Sequence, residues 1–410
     1  MYSNEKQQKH AICLLFFLCW IIYFISYLGR RNLSAAMTSM IQLGILTTAQ
    51  AGSINTAFFI SYAVGQFING ILADRFSPKY IILTGLSVAS LSNVVMAITQ
   101  TPWTMLFFWA LNGYAMAMLW PPILRIFTIF FDPEHCMRSS VHMATAPVAG
   151  AITSYVFYAF LLSFLSWKAP FYFAAGALLC SALFWYFGFT SVESILHPIP
   201  QTKSTLPVEN NRFRFLSFLG PLWIPLMIPV LAQGMLRDGI TTWVPTYLAE
   251  TFLLSPDFAV GISVLLPIAN LAAPYSAQFC YRKIFQNELI TAALFFALTT
   301  LFSLAFVRWG STNLWLGLAL FAIITTCMEA ANTLLVTILP LRFTRFGKPA
   351  SMSGFMNFLT YIGSALSTFG VGALVNHFGW GIALPIWCSL AGIGLLFCLL
   401  VRKLSIQAKI

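Results

Sequence analysis

The chain has 410 residues, of which 59% are hydrophobic and only 8% charged, against roughly 25% charged in a soluble domain. Twenty-two basic and eleven acidic side chains are too few to coat two or three soluble cores, which excludes that reading. The net charge of +11 does not point to nucleic acid either, because the basic residues fall in small groups between apolar runs and never form a stripe.

In chain order, apolar runs over about 11–39, 53–72, 80–99, 103–131, 139–164 and 169–189 predict membrane spans 1 to 6. A polar stretch from Ser191 to Phe215 follows, with Pro198, Pro200, Lys203 and Pro207 in it. Runs over about 218–250, 258–279, 288–307, 312–340, 350–375 and 380–401 predict spans 7 to 12. The first run outlasts a signal peptide and has no small-residue cleavage site, so it reads as a retained span. The expected fold is all-α, with a six-helix bundle over 1–190, a cytoplasmic linker over 191–217 and a second bundle over 218–410.

Loop charges orient this array. Lys6, Lys9, Arg75, Lys79, Arg138, Lys203, Arg212, Arg214, Arg282, Lys283, Arg342, Arg345, Lys348, Arg402, Lys403 and Lys409 fall on one side, against Lys168 and Arg308 on the other. The bias predicts an inner (plasma) membrane protein with both termini in the cytoplasm. Four basic residues remain inside or at the end of apolar runs: Arg30, Arg31, Arg125 and Arg237. An arginine in mid-span costs about 2.5–3.5 kcal/mol on insertion scales, so such residues face the protein interior and mark function.

The halves repeat. A shift of 207 residues carries Arg30 onto Arg237 and Arg75 onto Arg282. Two parallel six-helix halves related by an axis along the membrane normal are the architecture this predicts. Tyr23, Tyr27 and Arg30 follow at i, i+4 and i+7 and share one helix face; Tyr62 and Gln66 pair in the same way on span 2. Each tyrosine has a plainer reading as a packing or interfacial residue. The eight cysteines stand singly, with no ligand-spaced histidine, so no disulfide frame, metal site or cofactor is expected. No H-E-x-x-H, G-x-S-x-G or P-loop is present, so the chain reads as a non-enzyme, driven by a gradient or by exchange.

Gly70-x-Leu72-Ala73-Asp74-Arg75-x-x-x-Lys79 joins spans 2 and 3 and resembles the loop motif of the major facilitator superfamily, with Ser77-Pro78 where Gly-Arg is usual. Tyr23, Tyr27 and Arg30-Arg31-Asn32 in span 1, Trp120-Pro121-Pro122-x-x-Arg125 in span 4 and Leu236-Arg237-Asp238-Gly239 with Trp243 in span 7 resemble the organophosphate:phosphate antiporter family. The resemblance implies twelve helices in two pseudo-symmetric bundles and an anion site at Arg30 and Arg237, with Tyr23, Tyr27, Tyr62, Gln66 and Tyr361 around it. Guanidinium is forked and permanently charged, which suits phosphate or carboxylate oxygens. Gating is implied for Asp74, Arg75 and Arg282. Arg125 reads as gating or helix-end capping, and Arg31 as structure or gating. Asp238 is expected to point elsewhere on its helix.

Departures from the family's glycerol-3-phosphate transporters stand at Gln66, Ala146 and Pro267, in place of a lysine, a histidine and a glutamate; His142, one turn before Ala146, is a candidate substitute. Glu329 and Asn332 lie well inside span 10. Glu329 reads three ways: a coupling proton site, the charge partner of an arginine, or structural burial. The favoured function is secondary transport, by a monomer, of a small organic anion of the sugar- or glycerol-phosphate type, exchanged for inorganic phosphate by alternating access. The rivals are a proton-coupled carboxylate symporter and a non-transporting sugar-phosphate sensor.

Overall fold

No water reaches mid-bilayer to satisfy backbone N–H and carbonyl groups, so a crossing segment closes its own hydrogen bonds as a helix. The computed structural model describes residues 2–131, 139, 142–143, 145–196, 212–340 and 349–407, and its regular elements are all helical. Span 1 is Tyr2–Gln42, span 2 Thr48–Arg75, span 3 Pro78–Ile98, span 5 Thr145–Phe164 and span 6 Ala169–Glu193. Span 7 is Arg212–Phe252, span 9 Glu288–Trp309, span 11 Pro349–Phe378 and span 12 Trp380–Gln407. Span 10 runs as Leu314–Asn332 and continues as a π-helical turn, Thr333–Ile338.

Local chemistry sets the ends. Thr47 and Gln50 form a reciprocal capping box at the start of span 2, and Asn287 and Asn313 accept from the first amides of spans 9 and 10. Two spans expected as continuous are broken by proline. Span 4 splits into Pro102–Met116 and Trp120–Phe130, the second part opening on Pro121 and Pro122. Span 8 divides into Pro256–Ile262, Leu265–Asn270 and Ala273–Phe279 before a π turn, Cys280–Phe285. Pro267 and Pro274 lack the amide hydrogen that would bridge each break.

Nine helices among the described residues are long and apolar enough to cross a membrane. The three crossings outside that set are spans 2, 4 and 7. Span 4 is interrupted, and spans 2 and 7 bury polar side chains: Asn55 and Asn69 on one, Gln233, Asp238, Thr242 and Thr246 on the other. Such residues need protein or water around them rather than lipid. Outward faces carry Phe67, Phe107, Phe164 and Phe187, and Trp103, Trp309 and Trp315 stand exposed at the end opposite the termini, where an aromatic belt belongs.

The repeat is visible in the packing. In the first half, spans 1 and 5, 1 and 6, 2 and 4, 3 and 4, and 3 and 6 lie together; in the second, 7 and 11, 7 and 12, 8 and 10, 9 and 10, and 9 and 12 do. The halves meet where span 2 lies along span 11 and span 5 along span 8, with spans 1 and 7 between them. The expected linker overlaps the end of span 6 and the start of span 7, and its residues 197–211 lie outside the described residues.

Candidate functional site

Arg30 is positioned through the backbone of span 1. Ser154 Oγ donates to the Tyr27 carbonyl at 3.3 Å, Tyr158 Oη to that of Leu28 at 2.6 Å and Asn112 Nδ2 to that of Gly29 at 2.9 Å. Asn32 donates to Asn93, whose own amide reaches the Ala89 carbonyl and Asn112. Three consecutive carbonyls are thus gripped by spans 4 and 5 just before the arginine. Span 5 comes this close because Gly150 has no Cβ, which would lie 2.6 Å from the Phe24 carbonyl oxygen. None of Asn93, Asn112, Ser154 and Tyr158 was singled out from the sequence; a buried Asn or Ser inside a span is the one signal they give.

The Arg30 guanidinium sits among aromatic rings. Its Cζ lies 4.4 Å from the centre of Tyr62, 4.9 Å from Tyr27 and 5.7 Å from Phe58. Tyr23 packs on Tyr27 with ring centres 5.8 Å apart and on Trp120 at 5.2 Å. Tyr62 in turn meets Tyr361 of the other half at 4.6 Å. Tyr23, Tyr27, Arg30, Tyr62 and Tyr361 are therefore brought together. Ring faces offset part of the cost of removing the cation from water, but Arg30 has no carboxylate in ion-pair reach among the described residues.

Arg237 is held differently. Its Nε and a terminal nitrogen donate to the two carboxylate oxygens of Asp238 at 3.1 and 2.8 Å, and Glu329 Oε2 lies 3.6 Å from Nε. Ser364 Oγ donates to Asp238 at 2.7 Å. This corrects the expectation for Asp238: neighbouring residues leave a helix about 100° apart, yet the long arginine stem curls back to its neighbour. Asn332 is turned to Gln233, which donates to it at 3.1 Å and to Thr360 at 2.7 Å, tying spans 7, 10 and 11. Tyr27 and Tyr361 both lie near Arg30 and Arg237. Arg30, Arg31, Asn55, Asp238 and Thr242 line one small cleft between the halves, which places Arg31, expected in structure or gating, beside Arg30 in that cleft.

The remaining expected residues are dispersed. Gln66 is half-buried, its amide nitrogen lacking a hydrogen-bond partner. Arg125 is half-buried on the second helix of span 4, and Arg75 and Arg282 are exposed at the ends of spans 2 and 8. The side chain of Asp74, together with Arg138, Lys203, Arg342, Arg345 and Lys348, lies outside the described residues. His142 is exposed, against Phe16, while Ala146 is buried. Among the described residues no three His, Cys, Asp or Glu gather as a metal site.

Among the described residues, hydrogen bonds between the halves lie at mid-depth and towards the end opposite the termini. Tyr155 Oη donates to the Thr241 carbonyl at 3.4 Å, Ser34 Oγ to that of Thr242 at 2.8 Å and Thr56 Oγ1 to that of Ala365 at 3.0 Å; the Thr38 and Thr246 hydroxyls are 3.0 Å apart. Ser163 donates to Asp257 at 3.2 Å. Spans 2 and 11 touch through Gly52 and Gly372, where an added Cβ on Gly52 would lie 2.8 Å from the Thr368 carbonyl oxygen.

Residues 19–368 match the family model described as Major Facilitator Superfamily, and the chain belongs to that superfamily. It is similar to a "Probable hexose phosphate transport protein" of Chlamydia muridarum, at 22% identity over 98% of this chain and 94% of that protein. It is 24% identical to the "Glycerol-3-phosphate transporter" of Bacillus subtilis, over 92% of this chain and 89% of that one. The "Membrane sensor protein UhpC" of Escherichia coli is 21% identical over 97% and 94%. The crystal structure of a D-xylose-proton symporter superposes with a TM-score of 0.73 at 13% identity, covering 95% of this chain and 97% of that one, a likeness of fold alone. The phosphate-ester transporters among these relatives bear out the resemblance read from the arginine motifs of spans 1 and 7.

Proposed function

We propose that this member of the Major Facilitator Superfamily carries a small organic anion, of the sugar-phosphate or glycerol-phosphate class, across the inner (plasma) membrane in exchange for inorganic phosphate. The observation that carries the reading is Arg30: a guanidinium with no carboxylate in ion-pair reach among the described residues, surrounded by Tyr27, Tyr62 and Phe58 and joined through Tyr361 to the half that bears Arg237. An incoming anion supplies the missing counter-charge. Tyrosine hydroxyls and the second arginine give it further donors.

In this reading the protein is a monomer of two bundles, 1–190 and 218–410, with the intervening linker and both termini in the cytoplasm. The bonded end then faces outward, and the anion enters from the cytoplasmic side. Binding between Arg30 and Arg237 draws the halves together on that side, while the bonds of Ser34, Thr38, Thr56 and Ser163 break on the other. Asp74, Arg75, Arg125 and Arg282 would govern the cytoplasmic closure.

Two other readings have an observation each. Glu329 beside Arg237 favours a proton-coupled carboxylate symporter, and the likeness to a membrane sensor protein favours a binding protein without flux. Purified protein in liposomes loaded with phosphate separates them. Uptake of labelled phosphate that requires internal phosphate and no pH gradient is the expected result. Uptake driven only by an inward proton gradient would replace exchange with symport, and saturable binding without flux would make the chain a sensor.

A further inference from the structure

The 207-residue repeat lays Arg30-Arg31 over Arg237-Asp238, so the two halves bring unequal charge to one cleft. Asp238 is a fixed partner of Arg237: it takes two of that guanidinium's donors, accepts from Ser364 as well, and has only 11% of its side chain exposed. Glu329 is held far more loosely. Among the described residues its side chain makes one ion pair, at 3.6 Å, to a nitrogen already bonded to Asp238, and 34% of that side chain is exposed.

We propose that Glu329 is a displaceable counter-ion of Arg237 whose protonation sets the charge of the anion that the cleft accepts. This rests on the reading of Arg30 and Arg237 as the anion site. Arg30, Arg31 and Asp238 line the cleft, and Arg237 and Glu329 adjoin it through Asp238; counted together, three guanidinium groups against two carboxylates leave one net positive charge, the match for a monoanion. A dianion would leave one negative charge uncompensated where the low dielectric makes it costly. One proton from the water of the cleft onto a Glu329 oxygen raises the net charge to two and removes the competitor for Arg237. Binding of a dianion and uptake of a proton therefore favour each other, and by linkage the effect is reciprocal.

The groups around Glu329 allow this assignment. Span 7 presents Arg237 to it and, bonded to Arg237, Asp238; Tyr361 of span 11 and Tyr27 of span 1 lie near Arg237, and Arg31 of span 1 near Asp238. Span 8 turns the neutral Asn270 to Thr325 and Thr326 of span 10, and the charged residues of span 9, Glu288 and Arg308, sit at its two ends. A dianion moving with one proton carries the same charge as a monoanion, so exchange between the two transfers no net charge.

The test uses anions that do not themselves titrate: sulfate, a dianion, and methanesulfonate, a monoanion. Binding to the full-length protein is followed calorimetrically as pH falls from about 8 to 5.5, a window above the ordinary glutamate value of about 4.3, where a carboxylate is charged unless bound sulfate brings a proton with it. Sulfate affinity is expected to rise, by up to about tenfold per unit for one coupled proton, while methanesulfonate affinity stays level. Glu329→Gln should hold sulfate affinity at its low-pH value throughout. Wild-type protein in weak buffer should take up close to one proton per sulfate and none per methanesulfonate, a readout independent of any variant. Sulfate binding that needs Arg30 but is flat with pH, or takes up no proton, overturns this proposal and leaves the anion site standing. Binding that survives Arg30→Ala, or no binding of either anion, overturns the site and the proposal together.

Discussion

Arg30→Lys is the sharpest perturbation of the proposed site, because it keeps the charge and removes the fork. The arginine meets no carboxylate among the described residues, so its donors are available to an anion, and its plane rests 4.4 Å from Tyr62 and 4.9 Å from Tyr27. A lysine ammonium is a point charge that cannot make the parallel pair of bonds a guanidinium gives to two phosphate oxygens. Loss of one charge-assisted hydrogen bond costs about 1.5–3 kcal/mol, which corresponds to a roughly 10- to 150-fold weaker affinity. The assay is labelled-phosphate counterflow in proteoliposomes over a range of phosphate concentrations, with thermal melting in detergent as a check on folding. Arg402→Lys, exposed near the end of span 12, is the charge-conserving control and should leave the apparent affinity unchanged. An Arg30→Lys protein that folds and transports phosphate with wild-type affinity would refute the assignment.

The grip on span 1 gives a second prediction. Asn112→Ala removes the donor to the Gly29 carbonyl, which keeps its helix bond, at a cost of about 0.5–1.5 kcal/mol, and should weaken phosphate affinity; unchanged affinity in a folded protein would mean that Arg30 is placed without it. At the bonded end, Thr38→Cys with Thr246→Cys in a background free of the native cysteines should form a disulfide that arrests exchange, with activity returning on reduction. Exchange that continues in the oxidised protein would show that these two spans need not part. Phosphate efflux from loaded liposomes should be at least about 100-fold slower into phosphate-free buffer than into buffer with phosphate, the factor expected when an uncompensated buried charge costs about 3 kcal/mol; equal rates would remove the exchange mechanism.

Much of the architecture was legible because the bilayer leaves few solutions: long apolar runs announce spans, and Arg30 and Arg237 at a 207-residue offset announce the repeat. The aromatic face was legible too, since Tyr23, Tyr27 and Arg30 follow helical spacing and Arg30 lies over Tyr27. What spacing conceals is the reach of a long side chain. Asp238 leaves the helix in a different direction from Arg237, and only the curl of the arginine stem brings the two together. Nor does one helix reveal what a neighbour offers it: the donors to the carbonyls of Tyr27, Leu28 and Gly29 come from more than 80 residues away. The breaks in spans 4 and 8 had visible causes in Pro121, Pro122, Pro267 and Pro274, but an apolar run is read from hydropathy, and proline hardly lowers it.

The inequality of the two arginines bears on why such a site would exchange rather than leak. Arg237 carries its own counter-charge in Asp238 and can move through a closed intermediate at little cost. Among the described residues Arg30 has aromatic faces and no ion-pair partner; such faces are worth about 2 kcal/mol when desolvated, against a penalty of several kcal/mol for sealing an unpaired cation from water. While one end is open, water supplies the difference. When both ends close, in the step every alternating-access cycle must pass through, only a bound anion can. In the proposed mechanism the empty carrier would therefore be held at whichever side it last opened to, and one anion would have to replace another before the halves could rock back. Had both repeats kept an Arg-Asp pair, the empty protein would reorient freely and exchange would be lost; had both kept Arg-Arg, the cleft would hold its anion too tightly to release it.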